Sequence, residues 1–292
     1  MIGVYDSGFG GLTNLRWLRA RLPNHDFVYL GDSGRAPYGG RDTDTILDFS
    51  EQCVERLFEE GCRVVVVACH TVSTVALRHL QLRYAPPGGD HRVLGVSIPA
   101  AEIAVARSRG HIGVVATART VASGTLPTEI AKLGLHRVTQ RAAPLLAPLV
   151  EEGWEDTEIA RLTVARYVAD LVDIDTLLLG CTHFPLLLDA FGAAVPAGVQ
   201  VIDPAPYVAE RLADWLGRHP TFDHPGAGRL RILCTGEPAA FAAHGARFLG
   251  EPLPRVEHVA EVHSRLAHRE RVDVASGQVV RPNGRRGVVP RG

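Results

Sequence analysis

Cys69 and Cys181 each follow a short apolar run and precede a helical pattern. Residues 63–68 lead into Cys69-His70-Thr71, and residues 175–180 into Cys181-Thr182-His183. The two segments echo each other: apolar strand, cysteine, two polar residues, helix. A thiol at such a junction meets the positive end of a helix dipole, which favours the thiolate. His183, two residues after Cys181, opens two chemistries: nucleophilic hydrolysis by a thiolate, and thiol-based proton transfer. Hydrolysis needs an oxyanion hole and leaves the second cysteine without a task. Proton abstraction at a stereocentre from either face needs two bases on opposite sides of the carbon, which two lobes with one thiol each would supply. Either thiol taken alone also reads as a small buried hydrophobe, the reading given to Cys53, Cys62 and Cys234 inside helix or strand patterns.

Other strand ends add candidates. Asp6-Ser7-Gly8 ends the run 2–5, and Asp6 reads either as a helix N-cap or as a carboxylate for chemistry. The glycines at 8, 10 and 11 fit no GxGxxG fingerprint, and no GxxxxGK[ST] occurs, but they would let backbone amides approach a small anion. Glu151 and Glu152 would by default be surface residues at a helix start. No His, Cys and carboxylate set has metal-ligand spacing, so no metal is expected.

The elements that must position these residues come as short apolar runs at 2–5, 27–30, 63–68, 93–97, 112–116, 175–180, 199–202 and 229–234. Helical patterns fall around 11–22, 43–60, 72–84, 99–108, 120–133, 156–172, 205–217 and 238–248. This alternation predicts an α/β protein of two similar, doubly wound parallel-sheet lobes, in which ligands bind outside the carboxyl ends of the strands.

Composition narrows the class. The 292 residues are 46% hydrophobic and 22% charged with a formal net charge of −1, as in a soluble globular chain of about two domains. Five cysteines, an odd number in no CxxC pair, argue against a disulfide framework or a zinc knuckle. A single lysine, Lys132, leaves little room for a Schiff-base cofactor such as pyridoxal phosphate. No run approaches a membrane span and no leader precedes the first strand, so the cytoplasm is the expected location. No basic aromatic surface for nucleic acid occurs outside the tail. From residue 264 the tail carries seven Arg against Glu270 and Asp273; it reads as a solvated extension or small peripheral hairpin, or else as an anion- or partner-binding arm.

The strand-end segments resemble the glutamate racemases, cofactor-independent members of the aspartate/glutamate racemase superfamily that make D-glutamate for peptidoglycan. The resemblance runs to about residue 262. It is carried by 3–13, 29–33 with 37–39, 67–69, 95–100, 120–123, 148–151, 179–186, 202–205 and 256–259. It implies an active site between two lobes, the first formed by 1–97 with 206–262 and the second by 98–205, followed by a tail at 263–292. Cys69 and Cys181 would be the two acid/base residues, Asp6 assisting the former, His183 and Glu151 the latter. Ser7, Thr71 and Thr182, with position 70, would hold the α-amino and α-carboxylate groups, and Pro37, Tyr38 and Gly39 the side-chain carboxylate. No cofactor is implied. Glutamate racemases vary in dimer arrangement, so a homodimer is compatible with the resemblance, which does not choose among arrangements. The family has Asn after its first cysteine, where this chain has His70. Racemisation of aspartate or another small amino acid, and non-catalytic ligand binding on the same scaffold, stay open beside glutamate.

Overall fold

The computed structural model describes residues 1–260 and three short strands beyond them. In chain order the first half runs β1 (Ile2–Asp6), α1 (Leu12–Arg21), β2 (Phe27–Gly31), α2 (Thr43–Glu59), β3 (Val64–Val67), α3 (His70–Val75), α4 (Leu77–Tyr84), β4 (Arg92–Gly95) and α5 (Ser97–Arg107). The chain continues through β5 (His111–Ala116), α6 (Ala118–Ser123), α7 (Thr125–Leu133), β6 (Arg137–Ala142), α8 (Leu146–Glu151), α9 (Glu158–Val168) and β7 (Thr176–Gly180). A 3-10 turn (Phe184–Leu187) leads to α10 (Leu188–Ala194), β8 (Gln200–Ile202), α11 (Ala205–Arg218), β9 (Leu230–Cys234), α12 (Pro238–Leu249) and β10 (Val256–His258). In the basic tail, β11 (Arg271–Asp273), β12 (Gln278–Val280) and β13 (Arg286–Gly287) pair antiparallel. The rest of 261–292, and the reading of it as a binding arm, lies outside the described residues.

The expected α/β class holds. One sheet has the order β10-β9-β2-β1-β3-β4 and the other β6-β5-β7-β8, with every neighbour in both parallel. Strands buried on both faces need apolar residues at successive positions, and β1, β2, β3, β5 and β7 are buried throughout. Alternate side chains serve different cores. Val4, Tyr29, Val66, Leu177 and Leu179 enter a cluster shared by the two sheets. Tyr5, Val28, Leu30, Val65 and Val67 enter a second, and Ile112, Val114 and Leu178 a third.

Each sheet reverses its winding after its first two strands. In the first, β1 connects to β2 on one side and β3 returns to its other side; in the second, β5 connects to β6 and β7 returns beside β5. The carboxyl ends of β1 and β3, and of β5 and β7, therefore flank the two switch points where such folds open a crevice.

Some boundaries differ from the sequence expectation. The helix expected over 72–84 is two, α3 and α4, meeting at Ala76, and that over 120–133 breaks at Gly124, whose φ of +64° is left-handed. β6 was not expected, because an edge strand reading RVTQRA is nowhere fully buried and has no apolar run. α8, six residues with Pro148 inside, is too short to show a period.

Candidate active site

Eleven of the expected site residues line one cleft of about 170 Å³: Ser7, Pro37, Tyr38, Gly39, Cys69, His70, Thr71, Glu151, Cys181, Thr182 and His183. The twelfth, Asp6, is fully buried and does not line it. Asp6 and Ser7 end β1, Cys69 follows β3, and Cys181 follows β7, so the cleft draws a thiol from each switch point. A larger groove of about 620 Å³ between α1, α11 and the end of β8 contains no cysteine, so size does not select the reactive site.

On the first side, Cys69 Sγ lies 3.4 Å from Ser7 Oγ. Burial pushes the thiol up to about 12 and the neighbouring Asp6 carboxylate adds to this; the Ser7 hydroxyl and the Val72 N–H pull it back. At Cys69, burial thus works against the thiolate expected at a strand-helix junction. α3 is six residues long, and its terminal dipole loses to desolvation. Asp6 accepts the Gly8 N–H at 2.9 Å and the Thr182 hydroxyl at 3.4 Å. Burial raises its carboxyl, opposed by the charge of His183. It does not cap α1, whose N-cap is Gly11.

On the other side, His183 Nδ1 lies 3.8 Å from Cys181 Sγ, a long sulfur contact, and its Nε2 lies 2.9 Å from Glu151 Oε1. Burial alone would favour neutral imidazole, but the contacts with Cys181 and Glu151 outweigh it and raise His183 to about 10. Glu151, expected as a surface residue on spacing alone, is partly buried against this histidine.

Two glycines serve a different end from the anion approach expected of them. A Cβ on Gly10 would lie 2.6 Å from His183 Nδ1, and one on Gly11 would lie 2.5 Å from Asp6 Cβ. Both let the loop after β1 close against the site. Thr13 secures it, its hydroxyl donating to Gly10 O at 2.8 Å and Thr182 O at 3.1 Å.

His70 lines the cleft yet is buried, with Nδ1 sealed and without a hydrogen-bond partner. Burial lowers it to about 4, so the ring is neutral at pH 7. The Tyr38 hydroxyl is committed elsewhere, donating to Asp32 and Tyr5-linked within a buried network at 3.2 Å. Its contribution to the cleft comes from the rest of the residue.

Thr117 also lines the cleft, together with Ala143, Pro144 and Ala147. Its hydroxyl lies 2.9 Å from that of Thr71, across the two sheets. It directly follows β5, so the strand-end rule that selects Ser7 and Cys69 selects it too. Ala143 follows β6 and stays hidden with that strand.

The Asp/Glu/Hydantoin racemase family model matches residues 14–212. A glutamate racemase of Persephonella marina is 40% identical over 243 residues, covering 82% of this chain and 90% of its own. The structure of glutamate racemase from Francisella tularensis in complex with D-glutamate matches with a TM-score of 0.82 at 29% identity, over 89% of this chain and 97% of that one. That of Escherichia coli, with L-glutamate and the activator UDP-MurNAc-ala, matches with a TM-score of 0.73 at 26% identity, over 89% and 98%. The chain accordingly belongs to the Asp/Glu/hydantoin racemase family, among its glutamate racemases.

Proposed function

We propose that this chain interconverts L- and D-glutamate by two-base transfer of the α-proton. The observation that carries this reading is the meeting of Cys69 and Cys181, from the switch points of two separate sheets, in one cleft. Similar proteins crystallised with D-glutamate and with L-glutamate support the choice of substrate.

In the D-to-L direction Cys69, as thiolate, takes the α-proton and becomes a thiol, while the Cys181 thiol delivers its proton to the opposite face. The reverse direction exchanges the roles. Asp6, whose carboxyl burial makes a stronger base than an ordinary carboxylate, assists Cys69. His183, held protonated by its contacts with Cys181 and Glu151, assists at Cys181. Ser7, His70, Thr71 and Thr182 hold the α-amino and α-carboxylate groups, and residues 37–39 meet the side-chain carboxylate. Enclosure in a small cleft with backbone and hydroxyl donors stabilises the carbanion. Such an activity would supply D-glutamate for peptidoglycan.

The test is α-proton exchange in D₂O with purified protein and no added cofactor. Either glutamate enantiomer should gain α-deuterium as it inverts, and Cys69→Ala or Cys181→Ala should each stop racemisation. Turnover retained in either single variant would end the two-base assignment, and profiling D- and L-amino acids by circular dichroism checks the substrate.

A further inference from the structure

Helix α12, from the end of the chain that joins the first sheet, reaches the Cys181 side of the cleft and touches both members of the Glu151–His183 pair through consecutive residues. Arg247 Nη2 donates to the carbonyls of Val150 at 3.1 Å and Glu151 at 3.0 Å, and Nη1 donates to the Glu155 carboxylate at 2.7 and 2.9 Å. Phe248 sets its ring edge-on to the His183 imidazole, with centroids 5.2 Å apart and planes at 80°.

The turn after α8 is shaped to admit the guanidinium. Gly153 has a φ of +76°, and a Cβ there would lie 3.1 Å from Arg247 Nη1. The carbonyls of Val150 and Glu151 close α8, where a helix runs short of intrahelical donors; that of Val150 also accepts the Gly153 N–H at 3.0 Å, so Arg247 adds a second donor there. A helix of six residues with an internal proline has little intrinsic stability, so the placement of Glu151 depends on what grips that end. Arg247 grips it with a planar fork that a lysine cannot reproduce.

We propose that Arg247 is a positioning residue for the proposed proton transfer: it fixes the end of α8 so that Glu151 meets His183 Nε2, which in turn aims His183 Nδ1 at Cys181. This rests on the two-base reading above. The alternative is an arginine that caps a helix end and adds stability only.

The titratable groups facing His183 are Glu151, Cys181 and Asp6; Arg247 does not touch the ring and the Phe248 contact brings no charge, so an effect of Arg247 on the His183 titration passes through Glu151. In Arg247→Met, which keeps the side chain's length, kcat should fall about tenfold with KM within about twofold, a loss of roughly one hydrogen-bonded alignment. Arg247→Lys should recover only part of it. On a Glu151→Gln background the same substitution should cost less than about twofold, because residues acting as one unit are not additive. Independently of turnover, the His183 imidazole followed by NMR should titrate at lower pH in Arg247→Met than in the unsubstituted protein. Should Arg247→Met fail to fold, Glu155→Gln, which loosens the guanidinium without removing it, should give a smaller loss of kcat with the same dependence on Glu151.

A kcat within twofold of the unsubstituted protein and an unmoved His183 titration, in Arg247→Met or in Glu155→Gln if that is the variant that folds, would overturn the proposal. So would a full loss on the Glu151→Gln background. Absence of α-proton exchange in the unsubstituted protein is a different failure, that of the two-base reading, and the NMR titration still decides the role of Arg247.

Discussion

Glu151 Oε1 sits 2.9 Å from His183 Nε2, and the carboxylate joins Cys181 in keeping a buried imidazole charged. The folded-state value of about 10 lies above the ordinary 6.5, so the folded protein binds this proton more tightly than the unfolded chain. Its contribution to stability is fully present below about pH 6.5 and is lost as pH rises toward 10. In Glu151→Gln we expect the His183 titration, followed by NMR, to move down toward 6.5 and the alkaline loss of stability to flatten. An unmoved midpoint would assign the charge to Cys181 alone.

Cys69 makes the opposite case. Burial and Asp6 hold its thiol up to about 12, so the free protein carries little thiolate there at neutral pH. Alkylation of Cys69 by iodoacetamide, read by peptide mass spectrometry, should rise close to tenfold per pH unit from 7 to 10 without levelling. A plateau below pH 9 would show that the site already favours the thiolate. Asp6→Asn removes the anion beside the sulfur and should raise the rate at fixed pH.

Much of this arrangement is legible in the chain because parallel sheets obey a simple rule. Buried strands read as apolar runs, and whatever follows them is delivered to a switch point; hence Cys69, Cys181, Asp6 and Ser7 stand out, and Thr117 obeys the same rule. What stays hidden depends on tertiary contacts. The depth of Asp6 follows from Gly11 closing over it, the Tyr38 hydroxyl is turned inward by Asp32, and Arg247 looks like any arginine in the last turn of a helix. The thiolate expectation at Cys69 fails for the same reason. A strand-helix junction is visible in sequence, but the desolvation that outweighs it is a property of the packed site.

Gly10 tests how tightly the first loop closes on the second sheet. Its conformation is not left-handed, so the requirement is for space: a methyl group would press on Thr182 and His183. Displacing them breaks the Thr13 bridge to Thr182 O and misaligns Cys181 with its histidine. Gly10→Ala should therefore lose at least about a hundredfold in kcat/KM, as a displacement on the order of 1 Å at a catalytic group can. Calorimetry should show only a modest drop in Tm, because the sheet cores are untouched. Near-normal activity would show that the loop yields freely.

His70 is the residue by which this chain departs from the family pattern it otherwise resembles, and its surroundings say how to probe it. The ring is neutral and buried, with Nδ1 sealed and unpartnered, so only Nε2 is left to meet a ligand, as one donor or one acceptor. Asn in its place offers two donors and an acceptor in a smaller volume. If position 70 holds the α-amino and α-carboxylate groups, His70→Asn should gain about one net hydrogen bond, near 1 kcal/mol, and lower KM for glutamate roughly fivefold. A second consequence is independent of substrate. The folded-state value of about 4 lies below 6.5, so the unfolded chain binds this proton more tightly, and protonation costs stability as pH falls from about 6.5 to about 4. His70→Asn removes that penalty, and its denaturant midpoint should fall less steeply than that of the unsubstituted protein over this range. Unchanged KM together with unchanged acid sensitivity would mean that the imidazole neither meets the substrate nor stays buried and neutral, and that the departure from Asn at this position is without consequence for the site.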